Sequence, residues 1–222
     1  FTDSNLPKRI LQLHPEIDTN KDGAITPEEA LLLTELDLEI KDKTKATAEE
    51  KITSIDGIEL FTNLTFLNLK NQFIKDATPV EALKKLEKLY ITYTEIPSIQ
   101  VKEMPELRDL RLFGNKNIKE IDVRSNTKLD TLYIQDTQIS EIDVTNNKEL
   151  IDLNVNRTNL TRLILADLPK LNQVLAVKCQ ISSVSFKGLP AIKKIYIDNN
   201  QLTRVNLKDL PALMHLSVYN NK

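Results

Sequence analysis

The sequence predicts a curved right-handed solenoid. In this α/β stack a parallel β-sheet lines the concave face, short extended or 3₁₀ segments form the convex face, and a small helical cap closes the amino-terminal end. Two observations predict it. An apolar pattern, L-x-x-L-x-L-x-x-N-x-L, recurs in eight copies starting at residues 64, 86, 107, 129, 150, 171, 192 and 213, so the period is 21 or 22 residues. Ahead of it, residues 1–40 break the pattern and read as two helical segments around an acidic loop. The chain therefore divides into a cap, 1–40, and a repeat region, 41–222.

The cap opens on "LPKRILQLH", 6–14, whose Leu6, Ile10, Leu11 and Leu13 recur at helical spacing. "DTNKDGAITPEE", 18–29, follows, with oxygen-bearing side chains at the first, third and fifth places: Asp18, Asn20 and Asp22. Gly23 takes the sixth place, where the loop must turn sharply with positive φ. Ala24 would offer its carbonyl at the seventh, Thr26 a water contact at the ninth, and Glu29 a carboxylate at the twelfth. Hard oxygen donors at these intervals are what a calcium ion needs, and the match makes Ca²⁺ the one cofactor expected. "PEEALLLTEL" reads as the exiting helix. The loop is single, whereas sensors carry such loops in pairs, so the expected role is structural. Two short helices have too little core of their own. An ion at their junction would pin them over the open end of the stack, which exposes apolar surface and needs covering. Extracellular calcium would fill even a site with a Kd of about 10⁻⁴ to 10⁻³ M. A turn that binds no ion is the alternative.

"ELDLEI", 35–40, reads as a first strand with Leu36 and Leu38 inward, and the charged "KDKTKATAEEK", 41–51, as an exposed insertion. In each repeat L-x-L alternates, so Leu67 and Leu69 point inward and Asn68 outward. Strands stacked about 4.8 Å apart give eight repeats a sheet roughly 40 Å long. After each strand stands Gln72, Thr94, Asn115, Thr137, Thr158, Cys179, Asn200 or Asn221. All can donate a hydrogen bond, and a tight turn buries carbonyls that need donors. The return segments, such as "IKEIDV" and "LTRLIL", are too short for full helices. "ATPVEALKKLEKL" is the exception: Thr78 as cap and Pro79 in the first turn favour a short helix. The last copy stops at "YNNK", in mid-repeat, so either more protein follows or a partner blunts that end.

These residues resemble leucine-rich-repeat proteins. The spacing and the lead-in "ITSIDGIELFTNLTFLNL", 52–69, are similar to bacterial surface proteins of the internalin type, and closer to secreted repeat proteins of Bacteroides-like bacteria, which often place a calcium-type loop before the repeats. The resemblance implies an extracellular or cell-surface location and binding without catalysis. A regular cysteine ladder is missing, since Cys179 alone occupies a ladder position.

Composition narrows the function. With 30 basic against 32 acidic residues the net charge of −2 gives no reason to expect nucleic acid. No apolar run approaches the roughly 18 residues a membrane span needs. One cysteine forms no intrachain disulfide, and four glycines leave no Gly-rich phosphate loop. His14 and His215 lie far apart, and no Ser/His/Asp, Cys/His or paired-carboxylate arrangement suggests an enzyme.

The outward strand positions hold the candidate binding residues: Tyr90, Arg111, Phe113, Tyr133, Leu175, Tyr196 and Tyr219. All five tyrosines fall in or beside the strands, Tyr93 included. Tyrosine gives large contact area at low entropic cost and is enriched at interfaces. Packing across strands would also place aromatics there, and ring exposure separates the two readings. The expected activity is recognition of a protein, with a glycan in second place, on the concave face. A rigid spacer presenting a further domain is the alternative, and the oligomeric state is open.

Overall fold

The computed structural model describes residues 1–222. It opens on helix α1 (Asn5–Leu13) and a 3₁₀ turn (Pro15–Ile17), followed by helix α2 (Pro27–Ala30) and strand β1 (Glu35–Asp37). Of the apolar face of α1, Leu6 and Ile10 are buried, while Leu13 stays exposed. α2 is only one turn long. Thr26 caps it in a reciprocal box with Glu29, so the threonine serves as a helix cap where the sequence suggested a water site. The longer exiting helix expected over "PEEALLLTEL" does not form: Leu31 and Leu32 are exposed, and only Ala30 and Leu33 reach the core. The chain turns out of the helix because β1 must lie against β2, and Leu31 and Leu32 stay at the surface.

The repeats supply β2 (Phe66–Asn68), β3 (Lys88–Tyr90), β4 (Asp109–Arg111), β5 (Thr131–Tyr133), β6 (Asp152–Asn154), β8 (Gln173–Leu175), β10 (Lys194–Tyr196) and β11 (His215–Ser217). Together with β1 they make one nine-stranded parallel sheet. The register never slips: Leu36, Leu67, Leu89, Leu110, Leu132, Leu153, Val174, Ile195 and Leu216 stand side by side. A one-residue shift would move this whole row to solvent. On the convex side β7 (Arg162–Ala166) and β9 (Ser183–Lys187) pair as a second, two-stranded parallel sheet. Other returns are irregular or 3₁₀, as their length predicts. The segment at Thr78–Ala82 is also 3₁₀, and Thr78 begins it rather than capping it. Ala77 stands at its N-cap, and Asp76, in the turn before it, accepts the Thr78 N–H at 2.8 Å. One continuous core of 55 residues runs from Leu6 to Leu210, so the amino-terminal elements and the repeats bury their apolar faces against the same interior.

The turn after each strand is built on two columns. The first is conformational: Asn71, Tyr93, Gly114, Asp136, Arg157, Lys178, Asn199 and Asn220 all have φ between 53° and 78°. The second is the donor ladder expected from the sequence. Asn115 donates to the carbonyls of Ile91 and Leu112 at 2.6 and 2.7 Å, and accepts from the Thr94 N–H and hydroxyl at 2.9 and 2.7 Å. Thr137 and Thr158 each return a hydroxyl to the carbonyl three residues back, at 2.8 Å. Cys179 donates its thiol to Val155 O at 3.1 Å. Asn200 and Asn221 repeat the pattern of Asn115. A second ladder escapes the sequence reading. Asn126 and Asn147, fully buried under the convex returns, donate to Val101, Met104, Val123 and Asn126 carbonyls at 2.8–2.9 Å.

Candidate functional sites

The sheet face presents three outward columns. The middle one carries Tyr90, Arg111, Tyr133, Asn154, Leu175 and Tyr196, all half-buried. At its centre a stack crosses four strands. The Phe66 and Tyr90 rings meet edge-on at 5.4 Å. The Arg111 guanidinium lies 4.5 Å from the Tyr90 ring centre and 5.2 Å from that of Tyr133. Asp109, nearly buried, locks the arrangement. It accepts two bonds from Arg111, at 2.9 and 2.8 Å, and one from the Tyr90 hydroxyl at 2.7 Å. Burial first, then the hydrogen bond to Asp109, pushes the Tyr90 phenol up to about 12, so it stays a donor. The Asp109 bonds hold Arg111 charged above its ordinary value. Guanidinium planes bind carboxylates in this forked way and also lie well on aromatic faces.

In the third column Phe113 packs edge-on against Tyr93 at 5.3 Å. Tyr93 has left-handed backbone, φ 55°, and its ring lies over Gly114. A Cβ at Gly114 would stand 2.4 Å from the ring, so a glycine is needed there for space as well as for its own φ of 78°. Tyr219 stands apart at the far end, 71% exposed just beyond the edge strand β11, and Met214, just before that strand, is equally exposed. Another expected outward residue is covered: Asn68 is held beneath its neighbours by bonds to Asp37 and Glu39. Thr92, in the third column, is buried as well. The residues missed by sequence reasoning are Phe66 and Asp109. Both belong to the first outward column, and the signal for Asp109 is its 19-residue offset from Tyr90, which places the two on adjacent strands.

A charged groove on the convex side is lined by Glu120, Asp122, Glu141, Asp143, Arg124 and Arg162 among others. It is wide open. Arg124 pairs with Asp122 at 2.7 Å and Thr145 satisfies Asp143, an arrangement of solvated surface groups.

In the amino-terminal loop Asp18, Asn20 and Asp22 fan around the turn. Asp18 accepts from Asp22 and Gly23 N–H at 3.1 and 3.0 Å, Asn20 from Asp22 N–H at 3.0 Å, and Asp22 from Ala24 N–H at 2.8 Å. Lys21 and Gly23 take φ of 61° and 76°, which closes the loop. The front half thus offers the type of oxygen donor that a calcium ion takes. Glu29 as placed is turned to other partners. One oxygen accepts from Thr19 N–H and hydroxyl, the other from Thr26 N–H and hydroxyl, at 2.8–3.0 Å. It does not converge with Asp18 and Asp22 into a three-carboxylate cluster. Loop atoms cover Glu29 while little of the remaining protein surrounds it, so hydrogen bonds set its acidity. The Thr26 N–H leads in holding the carboxyl down to about 2.

No helix is long and apolar enough to cross a membrane. No protein-family model and no curated protein matches the sequence. Solved structures do match the fold. Internalin C2 of Listeria monocytogenes is 20% identical with a TM-score of 0.77, over 97% of this chain and 93% of that one. Internalin InlF of the same organism is 21% identical with a TM-score of 0.57, over 100% and 77%. The functional domain of Listeria monocytogenes InlJ, which includes a cysteine ladder, is 18% identical with a TM-score of 0.56, over 89% and 56%. At such identities the likeness establishes the fold: this chain is a leucine-rich-repeat solenoid.

Proposed function

We propose that the protein is a non-catalytic recognition module that binds a partner protein on its sheet face. One observation carries this: the Phe66–Tyr90–Arg111–Tyr133 stack, held rigid by Asp109 yet still half open to solvent. Rigid aromatic and arginine surface binds with little further loss of side-chain freedom, and such residues dominate binding energy at interfaces. The internalin-like fold and the absence of any assembled catalytic group favour binding over catalysis, and an extracellular or cell-surface setting over others. A photo-crosslinking residue placed at Leu175, on the sheet face, should yield protein adducts from extracellular fractions. The same residue at Ile142, on the convex side, should yield none. Combined replacement of Tyr90 and Tyr133 by alanine should reduce the Leu175 adducts at least about tenfold, as loss of two interface anchors requires. Adducts that form equally from Ile142, or that persist in the double variant, would sink the reading.

The loop geometry favours a second element, a structural calcium ion held by Asp18, Asn20, Asp22 and the Ala24 carbonyl, with Glu29 joining only by leaving Thr19 or Thr26. Calcium titration after chelation, followed by heat and by Tm, should show saturable binding and a higher Tm. At a hundred times Kd the gain is about 2.7 kcal/mol. Asp22→Ala should remove both effects. Without binding at millimolar calcium, the loop is only a hydrogen-bonded helix cap.

A further inference from the structure

The sheet face contains the same arrangement twice, once complete and once not. On β3 and β4, Tyr90 faces Asp109 nineteen residues on, and Arg111, two residues after the aspartate, fills the place between the carboxylate and the rings. On β5 and β6, Tyr133 faces Asp152, again nineteen residues on, one strand over and in unbroken register. The residue two after this aspartate is Asn154, not arginine. Its side-chain oxygen is turned to its own backbone, accepting from the Asn156 N–H at 3.1 Å.

Asp152 is consequently left alone. Its carboxylate forms no ion pair and accepts no hydrogen bond, although it is half-buried. Lys194 lies two strands away in register, with Gln173 between them, and does not reach it. Asp130, on the turn leading into β5, adds a second negative charge, bonded only by the Thr131 hydroxyl. Burial raises the Asp152 carboxyl above its ordinary value, opposed by the Lys194 charge from two strands away and helped, less strongly, by the Asp130 charge. Burial and next the Asp152 charge raise the Tyr133 phenol. A half-buried carboxylate beside a tyrosine, with no cation in contact and only Lys194 acting from two strands away, is an incomplete ion pair. The chain itself shows what completes it, because Arg111 does so one pair earlier.

Resting on the reading of the sheet face as a protein-binding surface, we propose that Tyr133 and Asp152 accept one arginine side chain of the partner, in the manner that Tyr90 and Asp109 hold Arg111. Arginine suits the place better than lysine because its planar fork can bond the carboxylate and lie against the ring together.

The test is an NMR titration of the intact chain with N-acetyl-arginine amide, following the Asp152 carboxyl carbon and the Tyr133 ring. The expected result is a saturable, millimolar response confined to Tyr133, Asp152 and Asp130. The isosteric neutral citrulline amide should give none, and the lysine amide a several-fold weaker one. Asp152→Asn should abolish the response while leaving the rest of the spectrum unchanged. Asn154→Arg should abolish it too, by supplying the guanidinium from within, and should raise Tm. The proposal is overturned by no saturable shift, by equal responses to lysine or citrulline amide, or by binding that survives Asp152→Asn. Adducts from Leu175 together with no arginine response would reject this site and leave the concave reading standing. Absence of adducts would reject the broader reading itself.

Discussion

Asn115→Ala is expected to destabilise the protein by about 3–5 kcal/mol, among the largest effects available to a single polar residue. Asn115 is fully buried and makes four bonds: one donated to the Leu112 carbonyl of its own turn, one to the Ile91 carbonyl of the preceding repeat, and two accepted from Thr94. Alanine strands two carbonyls and one N–H in the interior, each costing about 1–3 kcal/mol, with some relief where the Thr94 hydroxyl can turn. Thr137→Ala should be milder, near 1 kcal/mol, because Thr137 returns a single hydroxyl to the Ile134 carbonyl. Asn115→Thr should fall between them, since at two of the three threonine rungs, Thr137 and Thr158, the hydroxyl satisfies the carbonyl three residues back. Urea unfolding measures all three. An Asn115→Ala cost close to that of Thr137→Ala would mean that water or backbone adjustment replaces the ladder, and that the turns hold without it.

The parts of the fold legible in the sequence are those where one physical demand repeats. Leu67 and Leu69 announce an inward pair because alternation is a property of the strand, and eight copies remove ambiguity about its period. Asn115 and its equivalents announce buried turns because a tight turn always strands carbonyls. The second ladder, Asn126 and Asn147, occupies only two repeats and so looks like ordinary loop composition. The front end misled in a different way. Leu31 and Leu32 carry a helical signature, but the sheet's need for β1 ends the helix after one turn, a tertiary demand that local propensity does not contain.

The candidate sites divide along the same line. Tyr90, Arg111 and Tyr133 could be placed on one column from spacing alone, and the structure puts them in one stack. Spacing does not tell which outward residue a neighbour covers, so Asn68 reads as a surface residue and lies beneath the surface. It also does not tell which carboxylate is satisfied. Asp109 and Asp152 hold equivalent places in the repeat, and only the residue two further on, Arg111 or Asn154, separates a closed pair from an open one. Glu29 shows the limit of a motif match. Its position in the loop is that of an ion ligand, but the same position is also the third residue of a helix, where a glutamate caps.

A solenoid couples each repeat only to its neighbours, so one substitution should have very different effects at the middle and at the end. Leu132→Ala in β5 is expected to cost about 3–4 kcal/mol. Leu132 is fully buried between Leu110 and Leu153, and the cavity it leaves is walled on both sides by rows that cannot collapse without breaking register. Leu216→Ala in β11 removes the same atoms from the same column for about 1 kcal/mol or less, because Leu216 is 40% exposed and has Ile195 on one side only. Hydrogen exchange distinguishes the two mechanisms as well as their sizes. The Leu132 variant should open protection on both sides of β5, whereas the Leu216 variant should fray the last repeats and leave β1–β6 untouched. Equal costs would mean that the chain unfolds as one block, with coupling that reaches well beyond adjacent repeats. The difference also serves as a gauge of the β11 edge: any partner that covers it closes the open side of the Leu216 cavity and should move that penalty toward the value at Leu132.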